Sequence, residues 1–332
     1  MALLLMASPV FAAVTGTVTN QTTGKPQAGA TVALYQLATS TGLALIDQAK
    51  SDAQGNFTIN QNPQGPHLVR TAFEGVTYNH MLPPGQPSTG LAIDVWSASN
   101  QPGGAKVAKH MILFEPGGGQ VAVTETYLFK NDGKTSWNDP DGGTLKFFLP
   151  AGASQPKVDA TAPGGMPLGA AVVKTSKPDI MGVDFAIKPG DTRIDVSYTA
   201  PYTEGADLAG KIASKDENTY LIVPSGITIK GDGLNDLGAE PRSQAHIYGI
   251  TGASYKVQLT GNVAPAPAEP SGGGEADSEE AGPKIEQIMP RVNTKAVSIV
   301  IVALGILALG FTLLYRSSPT PPPPSSRRGP NA

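Results

Sequence analysis

The sequence predicts an all-β protein: two extracytoplasmic antiparallel β-sandwich domains, followed by a disordered linker and one C-terminal transmembrane helix. Three observations lead there. Apolar residues recur with a period of two in short runs, as in Val14-Thr-Gly-Thr-Val-Thr19 and Val183-Asp-Phe-Ala-Ile-Lys188, and that period marks half-buried strands. Gly 39 and Pro 30 make up about a fifth of the 332 residues, against about an eighth in average proteins, which favours turns over long helices. Ala296 to Tyr315 contains no charge, Asn, Gln or Pro. At about 1.5 Å per residue, such a run spans roughly 30 Å, the hydrocarbon thickness of a bilayer.

Residues 1–12 read as a secretory signal peptide. Ala2-Leu-Leu-Leu-Met-Ala7 is apolar, Pro9 ends its helix, and Val10-Phe11-Ala12 supplies small residues before a cleavage point near Ala12 or Ala13. The apolar run is short and no Lys or Arg precedes it, which fits a start codon placed too far downstream.

Residues 13–100 form the first predicted sandwich. Its strands are read at Val14–Thr19, Ala30–Leu37, Leu43–Lys50, Phe57–Ile59, His67–Phe73, Val76–Tyr78 and Leu91–Trp96. In Ser51-Asp-Ala-Gln-Gly-Asn-Phe57, an Asp opens a turn, Gly55 permits a positive φ, and the strand resumes at Phe57. These blocks carry a resemblance. V-T-G-T-V-T, then T-G-K-P with A-G-A-T-V-A-L, then S-D-A-Q-G-N-F are similar to the carboxypeptidase regulatory-like domain, over about the first quarter of the chain. The resemblance implies a transthyretin-like β-sandwich, grouped with carbohydrate-binding-like folds and serving as a non-catalytic accessory module on envelope proteins. Asp52, Gly55 and Phe57 would then be structural, as turn cap, turn apex and core anchor.

Residues 106–261, after the break at Gln101-Pro-Gly-Gly104, form the second predicted sandwich. Strand patterns recur at Lys106–Phe114, Gln120–Phe129, Thr144–Leu149, Val183–Lys188, Thr192–Tyr198, Thr219–Val223 and Ser254–Leu259. Gly- or Pro-bearing turns separate them, including Pro116–Gly119, Asp139–Gly143 and Lys188–Asp191.

The linker, residues 262–295, is rich in Pro, Ala, Gly and acids. After Val263 its first stretch has too little apolar area to offset the entropy of ordering. The transmembrane helix is residues 296–315, and residues 316–332 form a Pro-rich tail. Lys284, Arg291 and Lys295 precede the span while Arg316, Arg327 and Arg328 follow it, so the positive-inside rule gives a tie. The signal peptide breaks it, putting the bulk of the chain outside the cytoplasm, periplasmic or extracellular, and the tail inside.

Composition excludes whole classes of chemistry. There is no cysteine, hence no disulfide, Cys-ligated zinc, iron–sulfur cluster or thiol nucleophile. With 24 Lys+Arg against 27 Asp+Glu, the chain lacks the basic excess of a nucleic-acid binder. His67, His80, His110 and His246 lie too far apart to form a local metal pair, and they read as surface or strand-end residues. No nucleophile elbow, metalloprotease helix motif or P-loop occurs. Asp139-Pro-Asp-Gly-Gly143 lacks the downstream acid of a calcium loop. No catalytic residue, metal site or cofactor is therefore expected.

Trp96 and Trp137 are the only tryptophans, and they are the ligand-binding candidates. An exposed aromatic can stack on a sugar or anchor a protein interface. Trp137 lies in a polar turn-rich stretch and Trp96 close to the interdomain break. The function expected is a non-catalytic, single-pass membrane protein of the cell envelope that binds or scaffolds an envelope protein or a glycan. The alternatives are a carbohydrate-binding module protein, or an enzyme or enzyme subunit with an unrecognised site in residues 106–261.

Overall fold

The computed structural model of the chain describes residues 13–38, 42–214 and 218–261. The expected signal peptide, linker, transmembrane helix and tail lie outside the described residues. Among the described residues all regular structure is β, and no helix occurs.

The first unit comprises β1 (Val14–Asn20), β2 (Lys25–Pro26), β3 (Thr31–Ala38), β4 (Gly42–Lys50), β5 (Asn56–Ile59), β6 (His67–Phe73), β7 (Val76–Leu82) and β8 (Leu91–Val95). β1 pairs antiparallel with β5 and β2, and parallel with β8. A second sheet runs β4-β3-β6-β7, antiparallel throughout. Alternation decides which side chains meet between the sheets. In β8, Leu91, Ile93 and Val95 are buried while Ala92 and Asp94 face solvent. They join Val14, Val18, Val32, Leu34, Phe57, Ile59 and Val69 in one apolar cluster.

A short strand, β9 (Ala98–Ser99), leads to the second unit: β10 (Ala105–Gly117), β11 (Gln120–Asn131), β12 (Ser136–Trp137), β13 (Leu145–Phe148), β14 (Lys157–Thr161), β15 (Leu168–Gly169), β16 (Ala171–Lys174), β17 (Ile180–Asp184), β18 (Gly190–Pro201), β19 (Asp207–Lys211), β20 (Thr219–Val223), β21 (Ile227–Gly231), β22 (Leu234–Ala239), β23 (His246–Ile250) and β24 (Ser254–Gly261). An eight-stranded sheet runs β15-β14-β18-β11-β10-β20-β23-β22. Two three-stranded sheets, β13-β17-β16 and β19-β24-β21, complete the layers around a second apolar cluster. The long β10–β11 hairpin turns through Gly118 and Gly119, at φ 60 and 77. Positive φ at both turn positions matches the right-handed strand twist.

Three details depart from the sequence expectation. The run Val183–Lys188 stops being a strand at Asp184, where Phe185 N–H turns back to the Val183 carbonyl. Ile187 is still buried, but it bridges to Trp137 instead. Periodicity reports which residues face a core, not which neighbour they pair with. Second, three pairings are parallel: β1–β8, β10–β20 and β9–β12. Third, two of the four histidines, His67 and His110, are buried. A bulge between Val107 and Lys109 shifts the phase of β10. Before it, Ala105 and Val107 point inward; after it, His110, Ile112 and Phe114 do. One extra residue flips every later side chain to the other face.

Candidate functional site

The two units meet along a narrow seam. β9 and β12 pair as a two-stranded parallel ribbon, Ala98 beside Ser136 and Ser99 beside Trp137. Ser136 N–H donates to the Ser97 carbonyl at 3.0 Å, and Asn138 N–H to the Ser99 carbonyl at 2.8 Å. Ala98 N–H donates to the Glu74 carboxylate at 2.7 Å, and the Thr22 hydroxyl to the Lys134 carbonyl at 2.5 Å. The Tyr78 hydroxyl lies at the centre of the seam. It is 3.0 Å from the Trp96 carbonyl, to which it donates, 3.1 Å from Trp96 N–H, which donates to it, and 3.1 Å from the Ser136 hydroxyl. Burial raises its pKa above the ordinary tyrosine value.

Beside the seam is a small cleft of about 180 Å³. One wall is β7, β8 and the residue after β8, presenting Tyr78, Asn79, His80, Ile93, Asp94 and Trp96. The facing wall belongs to the second unit, with Met166, Leu168, Phe185 and Lys188. The Trp96 and Tyr78 rings are 5.7 Å apart and tilted. Lys188 Nζ sits 4.8 Å from the centre of the Tyr78 ring, within cation–π range. Burial lowers the Lys188 pKa to about 8, and the charge of Arg70 pushes in the same direction. In the sequence Lys188 reads as the outward-facing end of the strand pattern Val183–Lys188 and the first residue of a turn. What locates it in the cleft is the two units closing on each other, which no local pattern records.

Trp96 is half-buried and lines this cleft. Trp137 does not. Its backbone belongs to β12, its ring packs 6.4 Å from Phe129, and its indole N–H is buried without a hydrogen-bond partner. The structure therefore separates the two tryptophans, with one on a concave surface and one turned into the second core. The Asp52–Phe57 turn is closed by its own atoms. The Asp52 carboxylate accepts from Gln54 N–H at 2.9 Å and Asn56 N–H at 2.7 Å. Gly55 sits at φ 79, where an added Cβ would come 2.5 Å from the Val18 carbonyl, and Phe57 is buried in the first core.

A second group of titratable residues lies inside the second core. The Glu125 carboxylate is 3.0 Å from His110 Nε2, accepts from the Tyr127 hydroxyl at 2.5 Å, and accepts from the Tyr198 hydroxyl at 2.9 Å. The imidazole stacks on the Tyr127 ring at 4.0 Å. All four residues are buried. Burial pushes the Tyr198 hydroxyl well above its usual range, and the Glu125 charge adds to that. Glu125 was legible as an inward position, since it continues the run Val121, Val123, Glu125, Tyr127, Phe129. His110 was not, because the bulge hides its facing. A His–Glu pair can serve as a general base only where substrate can reach it, and here it is sealed by side chains. Among the described residues, no three His, Asp or Glu side chains converge as a metal site.

Residues 13–95 match the carboxypeptidase regulatory-like domain family. No curated protein matches the chain. Two solved structures of an M1 zinc metallopeptidase mutant from Deinococcus radiodurans, one bound to a Tyr-Ser-Ala substrate, are similar at 12% and 13% identity. Each aligns with a TM-score of 0.27 over 47% of this chain and 42% of that one. The chain thus spans about two fifths of the length of those structures, and so distant a likeness carries no argument.

Proposed function

We propose that this chain, whose residues 13–95 are a carboxypeptidase regulatory-like domain, is a membrane-anchored cell-envelope protein that binds and holds a partner without transforming it. In this reading the signal peptide exports two β-sandwich domains, the linker lifts them from the membrane, and residues 296–315 anchor them as a single-pass helix with the tail in the cytoplasm. The observation that carries the reading is the cleft beside the seam. Its aromatic and polar walls come from two units already tied together by backbone hydrogen bonds. A site preformed in this way binds without spending free energy on ordering loops. The sealing of Glu125 and His110 in the core supports binding over catalysis.

A specific observation favours a protein partner elsewhere. β4 is an edge strand carrying exposed Leu45 and Ile46, and an apolar edge is a template for strand addition.

The test uses the full chain in detergent micelles, titrated with envelope polysaccharide fragments and followed by tryptophan fluorescence. Saturable binding, lost in Trp96→Leu and kept in Trp137→Phe, is the expected result. Binding indifferent to Trp96→Leu would move the site away from the cleft. Chemical change of the bound material would bring the enzyme reading forward. Protease digestion of intact cells checks topology: residues 13–261 should be accessible from outside the cytoplasm, and the tail should not.

A further inference from the structure

The cleft closes over the Lys188 ammonium, which is paired with no acidic side chain among the described residues. Around Lys188 the charged neighbour that shifts its titration is another cation, Arg70, and its ammonium lies over the face of the Tyr78 ring. The nearby polar groups are engaged elsewhere. Arg70 Nε donates to the Asn79 side-chain carbonyl at 3.0 Å, and its guanidinium lies over the Tyr35 ring. Asp94, on the rim, accepts from the Gln21 amide at 2.7 Å. Glu74 accepts from Ala98 N–H in the seam. A mostly buried ammonium without a counter-charge is unfavourable on its own. It becomes favourable once an anion enters, because the low-dielectric surroundings that penalise the lone charge strengthen the pair.

The rest of the cleft indicates the body to which that anion is attached. Trp96 and Phe185 offer ring surfaces, and Met166, which is 45% exposed, offers an adaptable apolar one. Thr77, Asn79, His80 and Asp94 line the same space with hydroxyl, amide, imidazole and carboxylate groups. Several short polar groups around an aromatic face suit a ring bearing hydroxyls better than an extended peptide, which would need a run of free backbone donors and acceptors.

We infer that the cleft binds an acidic sugar, with the ligand carboxylate accepting a hydrogen bond from Lys188 Nζ and the sugar ring lying against Trp96. This rests on the cleft being a binding site, and adds the charge of the ligand and the residue that reads it.

The probe is tri-galacturonate, compared with its methyl ester, which has the same rings without the charge. Both are titrated into the full chain in micelles by tryptophan fluorescence and by calorimetry. A charge-assisted hydrogen bond is worth about 1.5–3 kcal/mol, so the acid should bind roughly 10- to 150-fold more tightly than the ester. Lys188→Met should remove that preference and leave ester affinity unchanged, and Lys188→Arg should restore part of it. The melting temperature of Lys188→Met must not fall, which separates lost recognition from lost fold.

Equal affinity for acid and ester would overturn the charge assignment and leave the binding role intact. Binding of neither would overturn the acidic-sugar assignment, while the partner-holding reading stands or falls on its own titration with envelope polysaccharide fragments. Acid preference retained in Lys188→Met would place the anion elsewhere. A tri-glutamate peptide binding as tightly as tri-galacturonate would overturn the sugar in favour of a peptide carboxylate.

Discussion

The two β units bury different kinds of core. In the first, the space between the sheets is filled by aliphatic side chains with Phe57 and Tyr78, and buried Asn20 and Ser51 make separate small sets of bonds: Asn20 to Gln27 and Ser97, Ser51 to the backbone at Gln27 and Ala30. In the second, a carboxylate, an imidazole and two phenols are linked through the middle of an eight-stranded sheet. An apolar core tolerates exchange of similar volumes. A buried polar network tolerates little, since removing one member strands the others. The difference teaches that the first unit is specified by pattern and volume, the second by pattern and one set of hydrogen bonds.

The sharpest way to break this comparison is Glu125→Ala. It removes the acceptor of the Tyr198 hydroxyl and one bond each from His110 and Tyr127. The expected cost is about 3–5 kcal/mol. Amide exchange should accelerate across β10, β11 and β18 while β1 to β8 keep their protection. Equal loosening of both units would show that they unfold as one.

Next in size is Gly55→Ala in the first unit. A side chain there meets the Val18 carbonyl at 2.5 Å in a left-handed backbone conformation, and should cost about 1–3 kcal/mol. Denaturant unfolding measures it. A loss below about 0.5 kcal/mol would mean that the turn is not as rigid as its bonds to Asp52 imply.

Lys188→Met sharpens the comparison at the boundary. The folded pKa of Lys188 is lowered to about 8 from 10.5. A lowered base binds fewer protons folded than unfolded between those values, so its contribution to stability improves as pH rises through that window and is worst below pH 8. Lys188→Met should therefore be more stable than the parent at pH 7, with the gap closing toward pH 10.5. A gap constant with pH would show that the ammonium is not the source.

The smallest effect is expected for Trp137→Phe. The substitution removes an indole N–H that is buried without a partner, relieving a penalty while losing some ring area. Melting should shift by the equivalent of less than about 1 kcal/mol. A much larger loss would mean that the indole ring carries more packing than its contact with Phe129 suggests.

Some of this was readable in advance for plain reasons. β5 and β8 alternate cleanly because one face is core and the other water, and Glu125 stands in an inward register for the same reason. β16, β22 and β23 left no such trace, since their side chains are half-buried or exposed on both faces. Of the site, Trp96 was visible as an aromatic near a boundary, while Lys188 and Met166 looked like ordinary turn and loop residues.

By itself, then, the amino-acid sequence determined the all-β class, most strands of the first unit and the long strands of the second, the Asp52–Phe57 turn and the family of residues 13–95, because these follow from short-range periodicity and turn chemistry. Only the tertiary structure decided that His110 joins Glu125 inside the core, that Trp137 turns inward, and that Lys188 faces Tyr78 across a cleft. Each of those depends on a bulge or a meeting of distant segments, and neither leaves a periodic mark on the chain.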